Sequence, residues 1–173
     1  MKKFVLIIVF AVSFCAANAQ KNPGVVQFGT GLNLGLPVGD FADISSVGIG
    51  VEVQAEYPFS NTASGIASIG YTNFFGKTVD ISGFGSVKYD NVGLIPILLG
   101  VRVYPSPLFF IGGKIGYGIF TGGGSSGGFD YNPQIGYNGP VVQVALGYNG
   151  VSMSGGTLGH IGLSAIYKFG SNK

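Results

Sequence analysis

The chain alternates. From Val26 to Leu36 the even positions are Val26, Phe28, Thr30, Leu32, Leu34 and Leu36, and the odd ones are Gln27, Gly29, Gly31, Asn33 and Gly35. Successive side chains of a strand point to opposite faces, so this period of two predicts a strand with one apolar face and one small, polar face. A second strand sets Val47, Ile49, Val51, Val53, Ala55 and Tyr57 against Gly48, Gly50, Glu52, Gln54 and Glu56, and Pro58 to Asn61 then reads as a tight turn. The same pattern predicts a third strand over about 63–74, a fourth over about 87–104, a fifth over 109–119, a sixth over 129–137, a seventh over 142–149 and a last over 160–169. That makes eight, an even number.

Two local features refine this reading. Pro96 donates no ladder hydrogen bond and a closed sheet has no edge to hide it, so a bulge is expected there. Asn138-Gly139 is a strong signal for a two-residue type I′ hairpin.

What each face carries decides the kind of sheet. In a soluble, lipocalin-like barrel the apolar face lines a cavity and the other face carries charges to water. Here the other face is mostly glycine, serine, asparagine and glutamine, which suits a narrow lumen. A membrane barrel needs outward apolar residues on every strand, ~9–11 residues per strand, and closure so that no backbone group meets lipid unpaired. The expected fold is therefore all-β, an eight-stranded antiparallel up-and-down transmembrane β-barrel.

Composition agrees. Only 9% of residues are charged, against ~25% in soluble domains, and so apolar a chain is not a solvated coil. The start of the chain carries Lys2 and Lys3, an apolar run from Phe4 to Ala17, and then Ala17-Asn18-Ala19 before Gln20. That order reads as a secretory signal peptide over 1–19, cleaved between Ala19 and Gln20, with 20–173 as the barrel domain. Cys15, preceded by Phe14, belongs to the apolar run of that signal, so the exported domain has no cysteine to pair. Cleavage also removes two of nine basic residues and leaves seven against seven acids. No basic patch points to nucleic acid.

Aromatic residues gather where lipid headgroups would lie. With both ends of the barrel on the periplasmic side, Phe28, Tyr57, Tyr104, Phe109, Tyr137, Tyr167 and Phe169 fall at one rim, and Tyr71, Tyr117, Phe129, Tyr131 and Tyr148 toward the other. The segments Gly31-Leu32-Asn33-Leu34-Gly35-Leu36-Pro37-Val38-Gly39-Asp40-Phe41, Ile95-Pro96 through Gly100-Val101-Arg102-Val103-Tyr104, and Tyr167-Lys168-Phe169 resemble the small OmpX-like outer-membrane β-barrel domain family of porin-fold proteins. The resemblance covers the whole exported chain. It implies an outer-membrane location in a Gram-negative cell, and a closing strand whose aromatics, Tyr167 and Phe169, are similar to the signal read by the barrel-assembly machinery. Here the chain continues with Gly170-Ser171-Asn172-Lys173. Functions differ within that family, so the resemblance implies no particular activity.

The inward face carries Glu52 and Glu56 on the second strand, Arg102 on the fourth and Lys114 on the fifth. Glu56 and Arg102 are expected low, near the periplasmic turns, and Glu52 and Lys114 higher. Charges in a low-dielectric interior are paired or wetted, so the expectation is an ion-pair network that plugs the lumen; the functional alternative is a gate in a narrow conductance path. His160, the one histidine, lies on the inward face near the outer end of the last strand, where it is expected to be solvated. A catalytic role would recruit Ser152, Ser154 or Asp130, but the spacing supplies no motif, and no second ligand cluster supports a metal. Gly122 to Gly128 lacks the lysine and the strand-to-helix context of a phosphate cradle and is expected to be a mobile surface loop. Further outer loops are expected at 40–46, 75–86 and 150–156, together forming an adhesive or ligand-binding rim or merely connecting strands. The resulting expectation is a non-enzymatic, monomeric outer-membrane protein without cofactor, with lipids and the assembly machinery as its partners and an unknown extracellular ligand. The alternatives are a narrow channel, a lipid-modifying enzyme and a soluble periplasmic carrier.

Overall fold

The computed structural model describes residues 23–81, 85–122 and 126–169. The predicted signal peptide, its Ala19/Gln20 cleavage site, Cys15 and the terminal Gly170 to Lys173 lie outside the described residues.

Among the described residues ten strands and one short helix follow in order: β1 Gln27–Val38, α1 Asp40–Ile44, β2 Ser45–Pro58, β3 Ala63–Gly76, β4 Thr78–Ile81, β5 Gly85–Lys88, β6 Val92–Ser106, β7 Phe109–Thr121, β8 Ser126–Asn138, β9 Val142–Met153 and β10 Gly156–Phe169. Eight of the strands close a barrel in the order β1-β10-β9-β8-β7-β6-β3-β2. All neighbours are antiparallel, and β1 closes on β10 from Phe28 opposite Phe169 to Val38 opposite Gly159. The eight-stranded up-and-down barrel expected from the alternation is the fold observed. β4 and β5 form a separate hairpin inserted between β3 and β6.

The alternation also predicts which way every barrel strand faces. Leu32, Val51, Ile69, Leu99, Ile115, Ile135, Leu146 and Leu163 all point outward and are 45–66% exposed. The charged residues of the barrel strands, Glu52, Glu56, Arg102, Lys114, Asp130 and Lys168, all point inward and are buried. At 12–15 residues, each barrel strand exceeds the ~9–11 needed to cross a hydrocarbon layer.

Short segments, 59–62, 107–108 and 139–141, join strands at the end of the barrel that also carries the start of β1 and the end of β10. This is the turn end; the helix and the inserted hairpin lie at the opposite, loop end. Five of the aromatics predicted at the turn-end rim, Phe28, Tyr57, Phe109, Tyr167 and Phe169, are about half exposed. At the loop end Tyr131 lies against outward-facing Gly150 on the neighbouring strand, where an added Cβ would fall 2.5 Å from the ring. Tyr148 covers Gly159 in the same way. Glycine is thus required where a tyrosine lies flat on the sheet.

Several local expectations are corrected. Pro96 sits opposite Gly118 in continuous register with β7. On its β3 side the ladder lapses at Gly70–Tyr71 and resumes at Thr72–Leu94 in the same register. The missing N–H therefore omits a bond without inserting a residue, and no bulge forms there. Bulges or irregularities occur instead between Ser45 and Gly48 and between Val103 and Ser106. Asn138-Gly139 does not form a type I′ turn: Asn138 ends β8 and pairs with Gln143, and Gly139 does not take a positive φ. Pro140 stands where such a turn needs its closing N–H donor, so the connection lengthens.

The predicted fourth strand begins at Val92, because Val87 and Lys88 belong to β5. The predicted 122–128 loop is shorter, because Ser126 to Gly128 pair with β7. The 40–46 segment holds α1 and the start of β2, and 150–156 is a two-residue turn at 154–155 between long strands. Tyr104 faces inward and is 3% exposed, so it does not belong to the rim; its even position on β6 places it with Arg102.

Candidate functional site: a layered lumen

At the turn end a polar network crosses the barrel. Arg102 Nη1 lies 3.1 Å from Glu56 Oε2, and the other carboxylate oxygen accepts the Tyr104 hydroxyl. Arg102 also donates to Gln143 Oε1 and, through Nη2, to Gln54 Oε1 at 3.2 Å. Its guanidinium lies 4.5 Å from the centre of the Phe110 ring, which supplies a cation–π contact. Gln143 and Lys168 both donate to Asn138 Oδ1, at 3.2 and 3.0 Å. Strands β2, β6, β8, β9 and β10 each contribute a side chain, which the inward half of the alternation places there.

One step toward the loop end, Lys114 Nζ lies 2.7 Å from Glu52 Oε1 and donates to Ser68 Oγ at 3.2 Å. Asn33 Nδ2 donates to the second Glu52 oxygen at 3.3 Å. The four charged residues singled out in the sequence thus meet as two pairs, Glu56 with Arg102 and Glu52 with Lys114. Sequence reasoning left Asp130 and Lys168 out of this set. Their even positions on β8 and β10 already put them on the inward face; nothing local indicated which side chains they would approach across the barrel.

The loop end is closed by apolar side chains. Phe41 of α1 is 1% exposed and packs with Phe74, Leu94, Phe120 and Val151. Its ring centre is 4.9 Å from that of Phe74 and 6.2 Å from that of Phe120, both edge-to-face. Gly39, at φ 60°, turns the chain from β1 into the mouth, a conformation open to glycine at little cost. Lys77 fastens the helix from outside, with Nζ donating to Ala42 O and its backbone N–H to Ile44 O at 3.0 Å.

His160 lies just beneath this layer. It is 6% exposed, with its ring centre 4.9 Å from that of Phe74, and Nε2 accepts from Asn149 Nδ2 at 3.0 Å. The histidine is therefore packed inside the barrel and not solvated at a rim. Ser152 is exposed on the outer face and Ser154 lies in the exposed 154–155 turn, so neither shares a face with His160. Asp130 does face inward. Among the described residues no group of three or more His, Cys, Asp or Glu residues is placed to hold a metal.

Between the lid and the ion pairs lies a cavity of about 50 Å³, lined by Glu52, Lys114, Asp130, Gln134, Asn149 and His160 among others. That volume is room for a few waters, at ~10–15 Å³ each by this measure.

No protein-family model matches the chain, and no curated protein matches its sequence. Solved structures do match. The crystal structure of Ail, the attachment invasion locus protein of Yersinia pestis, superposes with a TM-score of 0.61 at 16% identity, over 86% of this chain and 100% of that one. The fold is that of the small outer-membrane barrels. The same Ail protein in a phospholipid bilayer nanodisc gives 0.54 at 17% identity, over 82% of this chain and 99% of that one. The outer-membrane protein OprG from Pseudomonas aeruginosa gives 0.52 at 12% identity, over 87% of this chain and 98% of that one. At such identities the likeness concerns the fold alone.

Proposed function

We propose that this chain is a non-enzymatic outer-membrane β-barrel protein of a Gram-negative cell, filled by its own side chains, that supports envelope structure or makes surface contacts at its loop end. One observation carries the reading. The barrel exposes leucine, isoleucine, valine and aromatic side chains all round, with Leu99 at 66% and Leu32 at 64%, while every charge of its strands is inside. Soluble monomers rarely expose contiguous apolar patches beyond a few hundred Å², whereas here the apolar face runs round every barrel strand, and lipid is the solvent it fits. The signal peptide expected over 1–19, with its Ala19/Gln20 site, supports export, and the aromatics at both rims, Tyr167 and Phe169 among them, support seating at headgroup depth. The fold likeness to an attachment invasion locus protein supports the surface-contact reading in outline.

A conducting role fits less well, because the Arg102–Glu56 network and the Phe41 layer obstruct the lumen at different depths. Fractionation of expressing cells, with gels of boiled and unboiled detergent extracts, tests the proposal. The expected result is protein in the outer-membrane fraction, with a compact band that shifts on boiling, and silence in planar-bilayer recordings after refolding. A soluble protein without the shift would remove the membrane assignment, and steady conductance steps would favour the channel.

A further inference from the structure

The six lumen charges balance in number but not in position. At the turn end Glu56 stands with two cations, Arg102 and Lys168; toward the loop end Glu52 and Asp130 share one cation, Lys114. The turn-end half therefore carries one excess positive charge and the loop-end half one excess negative charge. Lys114 is committed to Glu52, at 2.7 Å, and to Ser68. His160 adds no compensating charge in this arrangement, since its Nε2 accepts from the Asn149 amide and the ring stands edge-on to Phe74.

Asp130 is left with neither of its oxygens bonded. It is 1% exposed, both carboxylate oxygens are buried without a protein donor, and it lines the cavity under the lid. Asn33 Oδ1, from another wall of the same cavity, is also buried without a donor, and the hydroxyl-bearing Thr72 and Ser164 line it too. A buried carboxylate costs several kcal/mol unless its charge is neutralised or paired (roughly, by transfer arguments). Of the unmet groups on this wall, three are oxygens, two of Asp130 and one of Asn33, and one is a donor, Gln134 Nε2. Oxygens are the preferred ligands of hard cations, and the amide N–H can be met by a water beside the ion. The space is of water size, and one charge needs balancing.

We infer that the chamber beneath the aromatic lid binds one small monovalent cation of the sodium type, with the Asp130 carboxylate as its charged ligand and amide and hydroxyl oxygens of the wall completing its shell. Occupancy removes the excess charge of the loop-end half and stabilises the folded barrel through linkage, because the separated strands of the unfolded chain hold no such chamber.

The test is the temperature at which purified, refolded protein loses its compact gel band, measured at equal ionic strength in sodium chloride, calcium chloride and choline chloride, choline being too large for the chamber. The wild type is expected to melt about 3 °C or more higher in sodium than in choline, and Asp130→Asn to melt at the same temperature in both. Equal wild-type values in sodium and choline would overturn the inference in favour of a chamber that holds only water or a proton. A sodium-dependent rise that survives Asp130→Asn would place the site elsewhere, and a rise in calcium without one in sodium would overturn the monovalent class. If Asp130→Asn does not refold, Thr72→Val serves in its place: a smaller sodium-dependent rise supports the chamber site and an unchanged one counts against it.

Discussion

Arg102 is the residue on which most of the turn-end network converges. It is 2% exposed and holds Glu56, Gln54 and Gln143 at once while its flat face rests on Phe110. Removing one partner of a buried ion pair costs about 3–5 kcal/mol where the other charge is left alone. Here Lys168 stays near Glu56, so the cost lies below that range and comes also from Gln54 and Gln143, whose oxygens lose the Arg102 donors. Arg102→Ala is therefore expected to lower the urea concentration needed to unfold the refolded barrel, whereas Arg102→Ala combined with Glu56→Gln is expected to recover part of the loss. If the double variant is no more stable than the single one, Glu56 does not depend on Arg102 in the way its geometry indicates. At this scale the sequence was legible wherever parity alone decides. Asp130 and Lys168 stand on inward positions in plain sight, but their neighbours come from strands far away in the chain, and no local pattern encodes a contact across a lumen. Tyr104 departs from the rim for a different reason: aromatic character alone places it at headgroup depth, but its even position faces the lumen, and the buried carboxylate that accepts its hydroxyl lies 48 residues away.

The elements divide by length. Strands of 12–15 residues repeat a period of two often enough for their existence and facing to be read directly. The five residues of α1 complete little more than one turn, too few for a 3.6-residue period to emerge, and the four-residue strands of the inserted hairpin are no clearer. Yet α1 delivers Phe41, which closes the mouth. Phe41→Ala is expected to leave the barrel folded, as read by the gel shift, and to speed hydrogen exchange of the strand amides near the loop end by about tenfold or more; unchanged exchange would mean that Phe41 does not limit water entry. Between neighbouring strands, Gly150 carries Tyr131 flat against the sheet. Gly150→Val is expected to lift that ring and destabilise the barrel by about 1–3 kcal/mol, as overpacking does, with Tyr131→Ala in the same background removing most of the penalty.

At the scale of the whole molecule, the barrel wall inverts the arrangement of a soluble protein, with its strand charges inside and hydrocarbon outside. Leu99 lies at the middle of β6 and is the most exposed large apolar residue described. A lysine at the midplane of a lipid-facing strand costs about 2–4 kcal/mol, falling toward the rims. Leu99→Lys is therefore expected to be destabilised by that amount in lipid bilayers, and Phe28→Lys, at the turn-end rim, by about 1 kcal/mol or less. Equal effects at both depths would contradict the placement of the hydrocarbon zone.

The polar network carries one more consequence, which concerns time. Glu52 meets Lys114 across 62 residues of sequence, Gln54 meets Gln143 across 89, and β1 reaches β10 only when the seam closes. Contacts so distant along the chain form late, because the loops they close are costly until the intervening structure exists. Until then each lumen charge must stay hydrated, so a partly assembled sheet cannot surrender its inner face to lipid. The charges that seal the finished barrel are the same ones that oblige it to close around water, so their pairing has to wait for the seam.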